Sequence, residues 1–126
     1  MFKKILLAGF FFALAGTVTP SHAEVDEDFM QTVEDTHKSL ASNLATQTTE
    51  NAVTDAKLLE GYFAEIEAFF VKKPDAQDGV DWSKKSRELV SQIITTLAAN
   101  DFEGAQKAHA ELGRTCKDCH RKYNDD

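Results

Sequence analysis

The sequence predicts an all-α protein, built as an antiparallel up-down-up-down four-helix bundle. Beyond an N-terminal apolar segment, apolar residues recur at spacings of three and four in four successive stretches. Proline occurs in this part only at Pro74, and no segment alternates apolar and polar residues as a strand would. Most joints between the four stretches are short, so successive helices are expected to run antiparallel beside each other.

Residues 1–23 have the pattern of a cleaved signal peptide. Lys3 and Lys4 precede an apolar run over 5–15 that is too short to span a bilayer, and small residues follow it at the expected cleavage site. We therefore expect a mature domain of residues 24–126, exported to the periplasm and not embedded in a membrane.

The expected mature domain is small and acidic. Removing 23 of the 126 residues leaves 103, with 12 basic side chains, 21 acidic ones and a formal charge of −9. This balance argues against nucleic-acid binding. A partner that is steered by electrostatics should present a basic patch.

The first two helices are predicted from N-capping and periodicity. Asp26 is the expected N-cap of the first helix, and the polar stretch 46–51 ends it. The second helix is expected over about 52–71. The inward positions of the first helix are Met30, Val33, His37, Leu40 and Leu44. Those of the second are Ala56, Leu59, Phe63, Ile66 and Phe70, with Leu58, Tyr62 and Phe69 widening the buried face.

The third and fourth helices follow a predicted loop over 72–80. The third helix is expected from about 81 to 99, with Asn100 in the left-handed conformation at its end and Asp101 as the next N-cap. The inward stripe of the fourth helix is Phe102, Ala105, His109, Leu112, Cys116, Cys119 and Tyr123.

A CxxCH motif at 116–120 ends this stripe. Cys116 and Cys119 lie on the same side of one helical turn, where both can bond to the vinyl groups of a porphyrin, and His120 can reach the iron. The motif predicts one covalently attached haem c per chain, with His120 as the proximal axial ligand.

Three other interpretations of the motif are weaker. A thioredoxin-like redox pair begins a helix in a βαβ unit, and no strand pattern precedes this motif. A zinc site needs four ligands, and the sequence has no second Cys/His pair at suitable spacing. A disulfide between residues three apart closes almost no loop and would stabilise little.

Two side chains on the first helix compete as the distal axial ligand. In an antiparallel bundle the level opposite His120 is near Met30, although a lone methionine is more often a core or helix-staple residue. His37 lies on the same stripe, about 10 Å farther along the helix, and is the alternative distal ligand. His109 is about 16 Å from His120 along the same helix and cannot reach the same iron.

With this motif in its last helix, the chain resembles the class II c-type cytochromes, which include cytochrome c′ and cytochrome c556. The residues that carry the resemblance are Met30, Gln31 and Leu40 in the first helix, and Asp101, Phe102, Gly113, the motif at 116–120 and Tyr123 in the last. The resemblance implies that Met30 supplies the sixth iron ligand, as a methionine does in the low-spin members. Many members form homodimers through their first two helices, which the apolar width of the second helix also allows here.

The expected function is that of a soluble periplasmic electron carrier that exchanges electrons with a redox partner protein. The sequence has no visible nucleophile–base or carboxylate pair, so an enzyme is not expected. The alternative function is binding of nitric oxide or carbon monoxide, as in the five-coordinate members of the family. Lys117, Arg121 and Lys122 form a basic collar at the motif, which either docks an acidic partner or complements the helix dipole.

Overall fold

A computed structural model of the chain describes residues 25–123. These residues form four α-helices, α1 (Glu27–Ala45), α2 (Thr49–Val71), α3 (Gln77–Ala98) and α4 (Phe102–Tyr123), with no strand among them. The predicted signal peptide, residues 1–23, lies outside the described residues. Over the described range, no helix is both long and apolar enough to cross a membrane. The predicted all-α class is confirmed.

The four helices pack in sequence order around one core. Each helix contacts the next extensively, whereas the contact between α1 and α4 is the least extensive of the four. The start of α1 lies beside the second half of α2, where the rings of Phe29 and Tyr62 meet edge to face at 5.6 Å. The end of α2 lies beside the end of α4, where Phe70 and Tyr123 pack with ring centroids 4.7 Å apart. The helices therefore alternate in direction, as predicted.

Large aliphatic side chains from all four helices fill the core. Each fully buried leucine or isoleucine stabilises the bundle by roughly 1.5–3 kcal/mol. The largest side chains that are fully buried are Leu40, Leu44, Leu59, Val90, Ile93, Leu97 and Leu112. The expected broad buried face of α2 is wrong in part, because Leu58 and Phe69 are 44% and 40% exposed. Tyr62, the third residue predicted to widen this face, is partly buried and packs against Phe29 of α1.

Local capping chemistry determines two of the joints. The Asp26 carboxylate accepts a hydrogen bond from the Phe29 amide at 2.9 Å, which confirms the N-cap of α1. Asn100 has a left-handed backbone with φ 64°, and Asp101 Oδ1 accepts from the Gly104 amide at 2.9 Å. The predicted turn between α3 and α4 is confirmed.

Two helices begin earlier than predicted. α2 starts at Thr49, because the polar residues of its first turn, including Glu50, suit a helix N-terminus. The loop predicted over 72–80 is wrong in extent: it covers only Lys72–Ala76, with the chain reversing at Asp75 where φ is 55°. Gly79 lies inside the first turn of α3, where the absence of a side chain lets the Phe70 ring rest on the α3 backbone.

Replacing Gly79 by alanine is expected to destabilise the protein by about 1–3 kcal/mol, because the new Cβ would overlap the Phe70 ring. Gly61→Ala is the matched control. Gly61 is exposed within α2 with no atom within 4 Å of an added Cβ, so alanine there should stabilise by about 0.5–1 kcal/mol. Urea unfolding of both variants and of wild type measures the two changes in the free energy of unfolding. Equal stability changes in the two variants would contradict a tight contact at Gly79.

Candidate functional site

The CxxCH motif lies in the last two turns of α4. Cys116 and Cys119 are free thiols, both partly buried and packed against the core, while the His120 side chain is exposed. Basic residues in the last turn of α4 complement the negative end of the helix dipole and favour the helix at this point. The structure therefore presents both cysteines on one side of α4, partly buried, with the exposed His120 directly following Cys119 in the chain.

Both cysteines are held in the thiol form. Burial raises the pKa of Cys116 to about 11, with smaller contributions from Cys119 and Glu34. Burial also raises the pKa of Cys119 to about 11, assisted by the nearby Asp78 carboxylate. A redox-active CxxC pair instead needs a lowered pKa at a helix N-terminus. The pKa directions and the position at a helix C-terminus both disfavour the thioredoxin-like interpretation.

Two stacked imidazoles, one on each helix, show how α1 and α4 are aligned along the bundle. The rings of His37 and His109 lie 4.0 Å apart at an angle of 17°. One turn along α4, an added Cβ at Gly113 would lie 3.7 Å from Cε1 of His37. Gly113 and His120 are seven residues apart, and so are His37 and Met30. Because the helices are antiparallel, Met30 and His120 come to similar heights along the bundle.

Met30 is the fourth residue of α1 and closes its first turn, directly after the Asp26 cap. Its amide donates to the Asp26 carbonyl at 3.0 Å, and its side chain is partly buried against the core. It shares a face of α1 with His37, which lies seven residues farther along and stacks on His109 of α4.

His37 is engaged by α4 in a way that the sequence did not indicate. Its carbonyl oxygen is 3.0 Å from Nε2 of His109, and its own Nε2 is buried without a hydrogen-bond partner among the described residues. Burial lowers the pKa of His37 to about 4, and the adjacent His109 contributes in the same direction. Burial also lowers the pKa of His109. Both rings are therefore neutral at pH 7.

The basic collar is largely neutralised by neighbouring carboxylates. Lys122 Nζ lies 2.6 Å from Asp78, and Arg121 lies 3.3 Å from Asp118. Of the three cations, Lys117 alone has no ion pair within the described part of the chain. The collar is thus mainly a set of local ion pairs rather than a free basic surface.

Sequence reasoning missed Asp78 as a contributor to the site. It was assigned to the loop, but it lies in the first turn of α3 and its carboxylate accepts hydrogen bonds from Tyr123 and Lys122. The usable signal was Tyr123, since an inward-facing tyrosine hydroxyl requires a polar partner. Nothing in the spacing alone identifies that partner, which is 45 residues away in sequence.

Over residues 25–123, no group of three His, Cys, Asp or Glu side chains is arranged to hold a bare metal ion. Comparisons of the chain with models of known protein families, with curated proteins and with solved structures found no match.

Proposed function

We propose that the chain is a monohaem c-type cytochrome that carries electrons, with haem c bound covalently through Cys116 and Cys119. The observation that carries the proposal is the CxxCH motif at the end of a bundle helix, with Met30 at a similar height on the adjoining helix. The resemblance to class II c-type cytochromes supports the same function.

The donor set fits a haem. The two thiols share one side of α4, are partly buried among apolar side chains, and carry their protons. Cys116 and Cys119 would hold the group through two thioether bonds, the S–H of each cysteine having added across one vinyl group and its hydrogen having gone to the adjacent vinyl carbon. Of the four adjoining helix pairs, α1 and α4 make the least extensive contact, so a flat apolar group held by α4 would displace the fewest contacts on this side of the bundle.

The bound haem would supply a one-electron change at its iron. His120 would hold the iron through an imidazole nitrogen as the proximal ligand, and Met30 would hold it through its thioether sulfur as the distal ligand. The Asp26 cap and the helical hydrogen bond of the Met30 amide hold the distal residue in place. His37 remains the alternative distal ligand, but the stacking of its ring on His109 favours Met30.

A second candidate function is binding of nitric oxide or carbon monoxide at an open iron position. The observation that favours it is the position of Met30 near the start of α1, where helix ends fray and could release the ligand. The two functions differ in the spin state of the iron. Neither requires a catalytic residue, and the proposal is of a carrier rather than an enzyme.

The proposal includes export to the periplasm and exchange of electrons with a redox partner protein. A homodimer would bury the exposed Leu58 and Phe69 of α2 against a second copy of the chain. Sizing of the purified protein at several concentrations shows whether it is a monomer or a dimer.

Intact mass tests the proposal directly. The chain expressed with haem-maturation machinery should gain the mass of one haem, and the haem should stay with the polypeptide under denaturing conditions. Replacing both Cys116 and Cys119 by alanine should abolish this covalent gain, whereas His109→Ala should keep it. A wild-type mass without haem would contradict the proposal.

A further inference from the structure

The first turn of α3 is tied to the last turn of α4 by one carboxylate. Lys122 Nζ donates to Asp78 Oδ2 at 2.6 Å, and the Tyr123 hydroxyl donates to Oδ1. The Gly79 amide donates to the same Oδ1 at 2.9 Å. Both oxygens of Asp78 are thus occupied, two of the three donors coming from α4.

The ring of Tyr123 is held independently of its hydroxyl. Phe70 packs against it from α2 at 4.7 Å, and Trp82 meets it edge-on from α3 at 6.3 Å. The apolar packing therefore limits movement of the ring, and the Asp78 bond fixes its polar end. Together they hold the end of α4 against two other helices.

This arrangement matters because His120 lies within the last turn of α4. The final carbonyls of a helix have no partners within it, and last turns fray. Lys122 and Tyr123 lie two and three residues after His120 in the same helical turn. Contacts that hold these two residues therefore also limit movement of the backbone at His120. Ion pairs between exposed side chains contribute little to overall stability, so the effect expected of this contact is on the local geometry of the last turn.

We propose that Asp78 is a positioning residue for His120: by accepting hydrogen bonds from Lys122 and Tyr123, it fixes the last turn of α4 and hence the orientation of the imidazole. The inference rests on the proposed function, because the orientation matters only if His120 binds a haem iron. Partners outside the ligand set commonly tune metal sites in this way.

Three variants of the haem-loaded protein test the inference. Tyr123→Phe removes one hydrogen bond without changing charge or ring packing, and Asp78→Ala removes the whole anchor. Glu111→Gln is the matched control, since Glu111 pairs with Lys85 across the same two helices at 3.4 Å but lies nine residues before His120. Proton NMR of the oxidised protein reports imidazole orientation through the paramagnetically shifted haem methyl resonances, and a redox titration reports the reduction equilibrium.

Tyr123→Phe and Asp78→Ala should both alter the pattern of haem methyl shifts, and Asp78→Ala should change the equilibrium constant for reduction by about threefold or more. Glu111→Gln should leave both readouts unchanged. If the pattern is the same as wild type in both Tyr123→Phe and Asp78→Ala, the inference is overturned, even if thermal stability falls. Should Asp78→Ala fail to fold, Tyr123→Phe alone decides. Absence of haem from the wild-type protein would instead overturn the proposed function itself.

Discussion

Replacing Met30 by alanine is expected to convert the iron of the haem-loaded protein from low spin to high spin. The same change should remove the sulfur-to-iron charge-transfer band of the oxidised form, because that band needs a thioether ligand. Met30 is partly buried, lies at a similar height to His120 and shares a face of α1 with His37, which packs on α4. Alanine has no sulfur and cannot bind iron. Absorption and electron paramagnetic resonance spectra of the two proteins measure the change.

His37→Ala is the control for this prediction and should leave the spin state and the charge-transfer band unchanged. Its ring is stacked on His109 and lies about 10 Å along the helix from Met30. If His37→Ala instead changes the spin state and Met30→Ala does not, the iron is ligated by two histidines. If neither substitution alters the spin state, the iron has no protein ligand on that side, and gas binding becomes the preferred function.

Acidification from pH 7 to pH 5 is expected to reduce the free energy of unfolding through His37, by about 1 kcal/mol once screening by solvent at the partly exposed ring is allowed for. The unfolded chain has an ordinary histidine pKa of 6.5, whereas burial lowers the pKa of folded His37 to about 4. Between these values the unfolded state binds more protons, so stability falls as pH falls. His109 contributes with the same sign, because its pKa is also lowered.

Urea unfolding of the purified protein at a series of pH values measures this loss. His37→Phe keeps a flat ring against His109 but cannot take up a proton, so its stability should depend less on pH over this range. The window lies above the ordinary carboxyl pKa values of 3.8 and 4.5, which limits contributions from Asp78 and Glu111. If wild type and His37→Phe lose the same free energy of unfolding between pH 7 and pH 5, the pH dependence does not come from His37.

Features that depend on near neighbours in the chain could be predicted from the sequence. The cap at Asp26 and the left-handed turn at Asn100 depend on contacts within a few residues, and both were confirmed. The bundle class followed from periodicity for the same reason. The CxxCH motif could also be recognised directly, since its two cysteines and its histidine lie within about one turn of a single helix. The haem that it predicts stays a prediction.

The start of α3 could not be predicted in this way. Gly79 looks like a loop residue by composition, but its place in α3 depends on the Phe70 ring from the preceding helix. The exposure of Leu58 and Phe69 could not be predicted either. Apolar periodicity shows which residues could be buried, but not which of them a neighbouring helix covers.

By itself, the sequence determined the four helices, most of their inward stripes and the placement of the CxxCH motif at the end of α4. Only the tertiary structure decided the stacking of His37 on His109 and the anchoring of Tyr123 by Asp78, whose partners lie 72 and 45 residues apart. The physical reason is that backbone hydrogen bonding sets geometry along one helix, whereas the height and rotation of one helix against another are set by side-chain packing across the core.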